Sequence, residues 1–180
     1  MLYCYDECLK KYGSHYYLEK ALSKGEIFKI SNGLYSDKKN VKDIEIYIKK
    51  HKGAIFTMES AFYYLGVSDV VSEKYIVATS RDATKYKNDN VVQYFMDEKL
   101  LEIGAETIIH NNVSIPTFNK ERMLIEVIRY KNKLPFDYYK DVINYYRNHI
   151  GEIDLSTVMD YLERFPKKKS IMKAIQMEVL

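Results

Sequence analysis

Apolar positions along the chain change their period several times, and each change marks an element. Tyr5, Cys8, Leu9 and Tyr12 fall at i, i+3, i+4 and i+7, the spacing of one face of a helix. Gly13 stops that pattern, and Ser14 is a natural N-cap for a second helix over His15–Lys24. This second helix buries Tyr17 or Leu18, with Ala21 and Leu22, and leaves His15, Tyr16, Glu19, Lys20 and Ser23 outside. Gly25 suits its C-terminal cap. Glu26–Ile30 then alternates, and Asn32–Gly33, the preferred type I′ pair, turns the chain into a return strand at Leu34–Tyr35. The predicted unit is two helices and a two-stranded wing.

A polar stretch at Asp37–Asn40 divides this unit, residues 1–37, from a second one over residues 41–180. There the pattern predicts a helix at Val41–His51, a strand at Ala54–Phe56, and a helix at Met58–Leu65 capped by Thr57. Buried strands are expected at Lys74–Thr79 and Asn90–Met96. Glu106–Ile109 and Val113–Phe118 flank Asn111–Asn112 as a hairpin, with Pro116 arguing for a sheet edge. Helices follow at Lys120–Tyr130, where Met123, Leu124, Val127 and Ile128 share a face, then at Phe136–His149, Leu155–Phe165 and Lys167–Val179. The fold class expected is α+β: a short N-terminal winged helix-turn-helix, then a small mixed sheet with a C-terminal helical cap.

Charge adds a direction. The chain of 180 residues carries 28 basic and 25 acidic side chains, a net +3, so the whole molecule is no polybasic coat. From Cys8 to Asn40, however, seven lysines face three acids. A helix-turn-helix presents its second helix to the DNA major groove, N-terminal residues first. Ser14, His15 and Tyr16 are therefore the candidate base-edge residues, joined by Asn32 of the wing. Lys10, Lys11, Lys20, Lys24 and Lys29 are candidate phosphate contacts. The first 80 residues contain no arginine, so the usual arginine–guanine reading is missing, and useful affinity would need a homodimer on an inverted repeat. Eighteen tyrosines, with abundant Lys, Ile and Asn, fit the drift of an AT-rich genome as well as a stacking surface. A second basic run, Lys167–Lys169 with Arg164 and Lys173, is a candidate patch for an acidic partner or a phosphate backbone.

Catalytic chemistry finds little footing. Glu121–Arg122 and Glu59–Ser60 read as helix-start residues, the glutamates favoured by the dipole and Arg122 paired with a neighbouring carboxylate. His15, His51, His110 and His149 have no metal-ligand spacing, and neither a nucleophile motif nor a phosphate-binding glycine loop is present. The expectation is a binding protein, not an enzyme, without cofactor or metal. Cys4 and Cys8, one helical turn apart, would close almost no loop as a disulfide and read as reduced thiols. With no apolar run of membrane-spanning length and no signal-peptide pattern, the expected location is cytoplasmic.

Several landmarks in order resemble the AbiEi antitoxins of type IV AbiE abortive-infection systems. They are Leu22-x-x-Gly25-x-Ile27-x-Lys29-Ile30-x-x-Gly33-Leu34-Tyr35, then Gly53–Phe56 with Glu59–Ala61 and Leu65–Gly66, then Ile76–Thr79, and finally Lys120–Leu124. The resemblance spans essentially the whole chain. It implies a winged helix that binds operator repeats and represses its own operon. It also implies a C-terminal domain that counteracts a nucleotidyltransferase-like toxin without a stable complex. Such proteins usually carry a further helix before the one that ends here at Gly13, so residues 1–37 would be an abbreviated reader. The alternative reading is a protein-interaction module whose shortened N-terminus only docks or dimerises.

Overall fold

The computed structural model describes residues 1–180, which divide into two units, Met1–Lys52 and Gly53–Leu180. The architecture is mixed α+β, with nine α-helices and two sheets.

In the first unit, strand β1 (Leu2–Cys4) runs directly into helix α1 (Tyr5–Tyr12), followed by α2 (His15–Ser23), the β2–β3 hairpin (Phe28–Ser31, Leu34–Ser36) and α3 (Asp43–Lys50). The sheet has the order β1-β3-β2 and is antiparallel throughout, with Tyr3 opposite Tyr35. The hairpin therefore has a third strand that periodicity did not reveal. Leu2–Cys4 is too short to show an alternation, and its pairing with β3 creates it.

The Glu7 carboxylate accepts the Cys4 N–H at 2.7 Å and so caps the start of α1. Lys10 and Lys11 end that helix, where cations suit the dipole. The end of α2 is set by Gly25 at φ +70°, with Glu26 N–H bonding to Ala21 O and Gly25 N–H to Leu22 O. That left-handed pair of bonds is the Schellman cap, which glycine enters without a Cβ penalty.

A small core of Cys8, Leu18, Ala21, Ile27 and Tyr35 holds these elements together. Leu18, not Tyr17, is the buried member of α2, and Tyr17 is 57% exposed. Cys4 and Cys8 are free thiols, and burial pushes the Cys8 thiol up. The polar stretch at Asp37–Asn40 does not coincide with the division between units, which falls between Lys52 and Gly53. The reason is α3: Tyr47 is buried, and Lys49 Nζ lies 2.6 Å from Glu7 of α1.

The expected type I′ geometry at Asn32–Gly33 is also absent. Gly33 has φ +71°, but Asn32 is not left-handed, and the β2–β3 register slips between Lys29 and Ser31. Asn111–Asn112 has the required pair of positive φ values instead, +49° and +63°.

The second unit is built on a five-stranded sheet of order β6-β5-β4-β8-β7. Its strands are β4 (Ile55–Phe56), β5 (Tyr75–Ser80), β6 (Val91–Met96), β7 (Ala105–His110) and β8 (Val113–Phe118). Pairings β5–β6 and β4–β8 are parallel and the others antiparallel, so the sheet is mixed. Pro116 lies in β8, an inner strand rather than an edge. The two-residue β4 pairs with β8 only at Thr117, so the proline interrupts no ladder bond to β4.

Helices α4 (Met58–Tyr64), α5 (Glu98–Leu101), α6 (Lys120–Arg129), α7 (Phe136–Asn148), α8 (Leu155–Leu162) and α9 (Lys168–Glu178) complete the unit. Thr57 does not cap α4 as its sequence position suggests. Met58 is left-handed at φ +47°, and the Thr57 hydroxyl points to Met123 Sδ at 3.8 Å.

Helix α6 is buried on every side from Arg122 to Ile128, as a central helix must be. Its two buried charged residues, Arg122 and Glu126, satisfy one another. The Arg122 guanidinium lies between the rings of Phe118 and Phe165, 4.6 and 4.4 Å from their centroids. It donates to Glu126 Oε1 at 2.8 Å and to the carbonyls of Leu100 and Ile103 at 2.7 and 3.1 Å. Arg129 Nη1 closes the network on both Glu126 oxygens, at 2.7 and 2.8 Å. Burial lowers the Arg122 pKa and the Glu126 carboxylate opposes that shift. Gly104, at φ +68°, sits against this network. A Cβ there would lie 2.6 Å from Arg122 Cβ and 2.7 Å from Asn119 Oδ1.

Candidate nucleic-acid interface

Leu18 and Ala21, with Leu22 partly buried beside them, turn one side of α2 into the core, and the other residues of the helix face outward. Tyr16 is 70% exposed, and its ring meets Tyr17 edge to face at 5.4 Å. Beside them, a cavity of about 300 Å³ is lined by Lys11 and Tyr12 of α1 and by Tyr17, Lys20 and Lys24 of and just after α2, with Glu26 at its rim. Lys11 Nζ stands 4.6 Å from the Tyr3 ring centroid and 5.4 Å from that of Tyr12, and donates to the Tyr3 hydroxyl at 3.4 Å. Desolvation works against its charge, but the hydrogen bond to Tyr3 and the tyrosine neighbours leave the Lys11 pKa raised. Lys11 is therefore a fixed cation on an aromatic wall.

The candidate residues divide accordingly. Lys11, Lys20 and Lys24 converge on this cavity, Lys24 lying 3.7 Å from Glu26. His15 is drawn to the other flank, its Nδ1 3.4 Å from the Tyr5 hydroxyl and its Nε2 3.9 Å from Glu19. Ser14 spends its oxygen on the Tyr17 N–H at 3.5 Å, as a cap. Lys10 is exposed at the end of α1, while Lys29 and Asn32 lie exposed on the hairpin, away from the cavity.

Tyr12 and Tyr17 line the cavity without having been singled out from the sequence. Once Leu18, Ala21 and Leu22 are taken as the apolar stripe of α2, helical periodicity alone puts Tyr17 outside.

The second basic run is split by the turn into α9. Lys167 takes a left-handed conformation, φ +60°, and lines a cavity with Arg129 and Lys131. Lys168, Lys169 and Lys173 line a different groove, between α8 and α9, and Lys168 is 2.5 Å from Glu163. Arg164 is exposed in the connection.

The remaining polar candidates have internal duties. Ser60 Oγ accepts the Ile76 N–H at 2.9 Å, and Glu121 accepts the Asp154 N–H at 3.2 Å. Burial pushes the Glu59 carboxyl up. Each of the four histidines rests against a tyrosine: His15 on Tyr5, His51 on Tyr47, His110 on Tyr63 and Tyr64, and His149 stacked on Tyr145 at 4.1 Å. No three His, Cys, Asp or Glu side chains gather in a metal-binding group, and no helix is long and apolar enough to cross a membrane.

Compared with protein-family models and with curated proteins, the chain has no match in either.

Proposed function

We propose that the first unit is a winged helix-turn-helix that binds operator DNA, in a cytoplasmic antitoxin that autoregulates a type IV abortive-infection operon. The second unit, on this reading, counteracts a nucleotidyltransferase-like toxin. One observation carries the DNA reading: Lys11, Lys20 and Lys24 converge around Tyr17 beside the exposed Tyr16, with a hairpin following α2. Lysines set on one side of a helix supply sequence-independent phosphate affinity, and tyrosine supplies an amphipathic surface for sugar or base edges. His15, held by Tyr5 and Glu19, plays a smaller part than Tyr16 in base contact. The antitoxin part rests on the ordered landmarks from Leu22 to Leu124.

The test is a fluorescence titration of the chain against the DNA upstream of its own gene, at several salt concentrations. Binding at about 1 µM or tighter that weakens steeply with salt is expected. Salt-insensitive binding, or none at that concentration, sinks the repressor reading. Co-expression with the adjacent gene tests the antitoxin half, which fails if that gene is harmless alone or remains toxic. A protein-interaction module is the second reading, favoured by the acids Glu19 and Glu26 placed among the lysines of α2. An unchanged biological effect of Lys20→Glu with Lys24→Glu would select it.

A further inference from the structure

We propose that the groove between α8 and α9 docks an acidic amphipathic helix of a partner protein. Its cavity, about 410 Å³, has an apolar floor of Met159, Leu162 and Met172. Met159 follows Leu155 by one turn of α8, and both stay partly exposed, at 44% and 37%. On α9, Lys169, Met172, Lys173 and Gln176 fall at i, i+3, i+4 and i+7, so one face alternates an apolar anchor with two cations. Glu163 satisfies Lys168 at one wall, whereas Lys169 and Lys173 form no ion pair.

Charge chooses the occupant. An apolar floor between two unpaired lysines is complementary to a helix with apolar anchors at i, i+3 or i+4 and i+7 and carboxylates on its flanks. Methionine thioethers adapt to such anchors, and lysine stems extend the apolar wall while their ammonium groups meet the carboxylates. A nucleic-acid strand fits this surface less well. The groove contains neither an aromatic ring for stacking nor an arginine fork for phosphate, and a phosphate backbone would leave the methionines wet. The inference goes beyond the DNA reading of the first unit and uses none of its residues.

The test uses the full chain, carbon-13 labelled at its methionine methyl groups. The probe is a fluorescent helical peptide of about 18 residues, with leucines on one face and glutamates flanking them. A control peptide has lysines in place of the glutamates. The acidic peptide is expected to bind at least about tenfold tighter than the control and to shift the Met159 and Met172 methyl signals. Those of buried Met58, Met96 and Met123 should stay in place. Met172→Glu should weaken binding about tenfold or more, and Lys169→Glu with Lys173→Glu should reverse the peptide preference. Because Lys169 and Lys173 are exposed, the charge reversal remains readable even if Met172→Glu perturbs folding. The proposal is overturned by equal binding of the two peptides, by no binding at about 100 µM, or by methyl shifts elsewhere. Competition by a DNA duplex at the Met159 and Met172 signals also overturns it, and would make the groove a phosphate patch.

Discussion

The two units of this protein differ in the kind of cation they carry and in how deeply the fold buries it. The first unit has lysines and no arginine, and Lys10, Lys20 and Lys29 stand out from its surface. All five arginines belong to the second unit, where Arg122, Arg129 and Arg147 bond to protein groups. Arg122 is fully buried. Arginine suits that interior place because its planar fork can serve Glu126 and two carbonyls at once while its faces stack on Phe118 and Phe165. Lysine suits the surface, where its charge stays hydrated and free for a mobile anionic partner. Net charge is a poor guide to either role. What matters is which cations the fold consumes.

Removing Arg122 should produce the largest effect. Arg122→Met leaves the Leu100 and Ile103 carbonyls without a donor and Glu126 with only Arg129. A loss of ~3–5 kcal/mol is expected in urea unfolding. A loss under about 1 kcal/mol would mean that the network is dispensable. Gly104→Ala comes next, because it combines a left-handed φ with a Cβ inside contact distance of Arg122 and Asn119. It should cost ~2–4 kcal/mol in the same measurement.

The converse holds for the surface cations. Lys20→Glu with Lys24→Glu should change stability by less than about 0.5 kcal/mol. The same pair should weaken operator binding at least about tenfold and flatten its salt dependence. Unaltered DNA affinity would remove the functional half of the contrast.

Gly25→Ala sharpens the comparison with Gly104. Both glycines have positive φ, but no atom lies within 4 Å of a Cβ at Gly25, so only the conformational cost remains, ~1 kcal/mol.

A comparably modest effect concerns Glu7, whose carboxyl is held down to about 2, first by Lys49 and then by the Cys4 N–H. A depressed carboxylate pKa contributes stability above its unfolded value, 4.5, and loses it as pH falls toward 2. The pair is substantially exposed, so the contribution is about 1 kcal/mol. In Glu7→Gln that acid-labile share should vanish, so the difference in stability between wild type and variant should close as pH falls to about 2.

Much of the architecture was legible because it follows from local periodicity and punctuation. The bounds of α1 and α2 come from Tyr5, Cys8, Gly13, Ser14 and Gly25, and the major strands of the second unit from runs such as Tyr75–Thr79. The stripe on α6 was equally plain, yet only half the story, since Arg122 and Glu126 are as buried as the leucines around them. What was not legible depends on distant partners. β1 exists because β3 is there to pair with it. Tyr12 lines a basic cavity, and Lys11 lies over its ring and that of Tyr3. The basic run at Lys167–Lys169 looks uniform in one dimension, yet the left-handed Lys167 sends its members to two different surfaces.

By itself, then, the sequence determined the α+β class, the order of nearly all the elements and the excess of lysine in the first forty residues. Those properties depend on helical and strand repeats and on local caps, whose causes lie within a few residues. Tertiary structure alone decided which cations are consumed and which are free. That choice depends on desolvation and on contacts such as Arg122 with Leu100 and Phe165, or Lys49 with Glu7, made across tens of residues. A buried charge must find partners wherever the chain brings them, and no local pattern records where that will be.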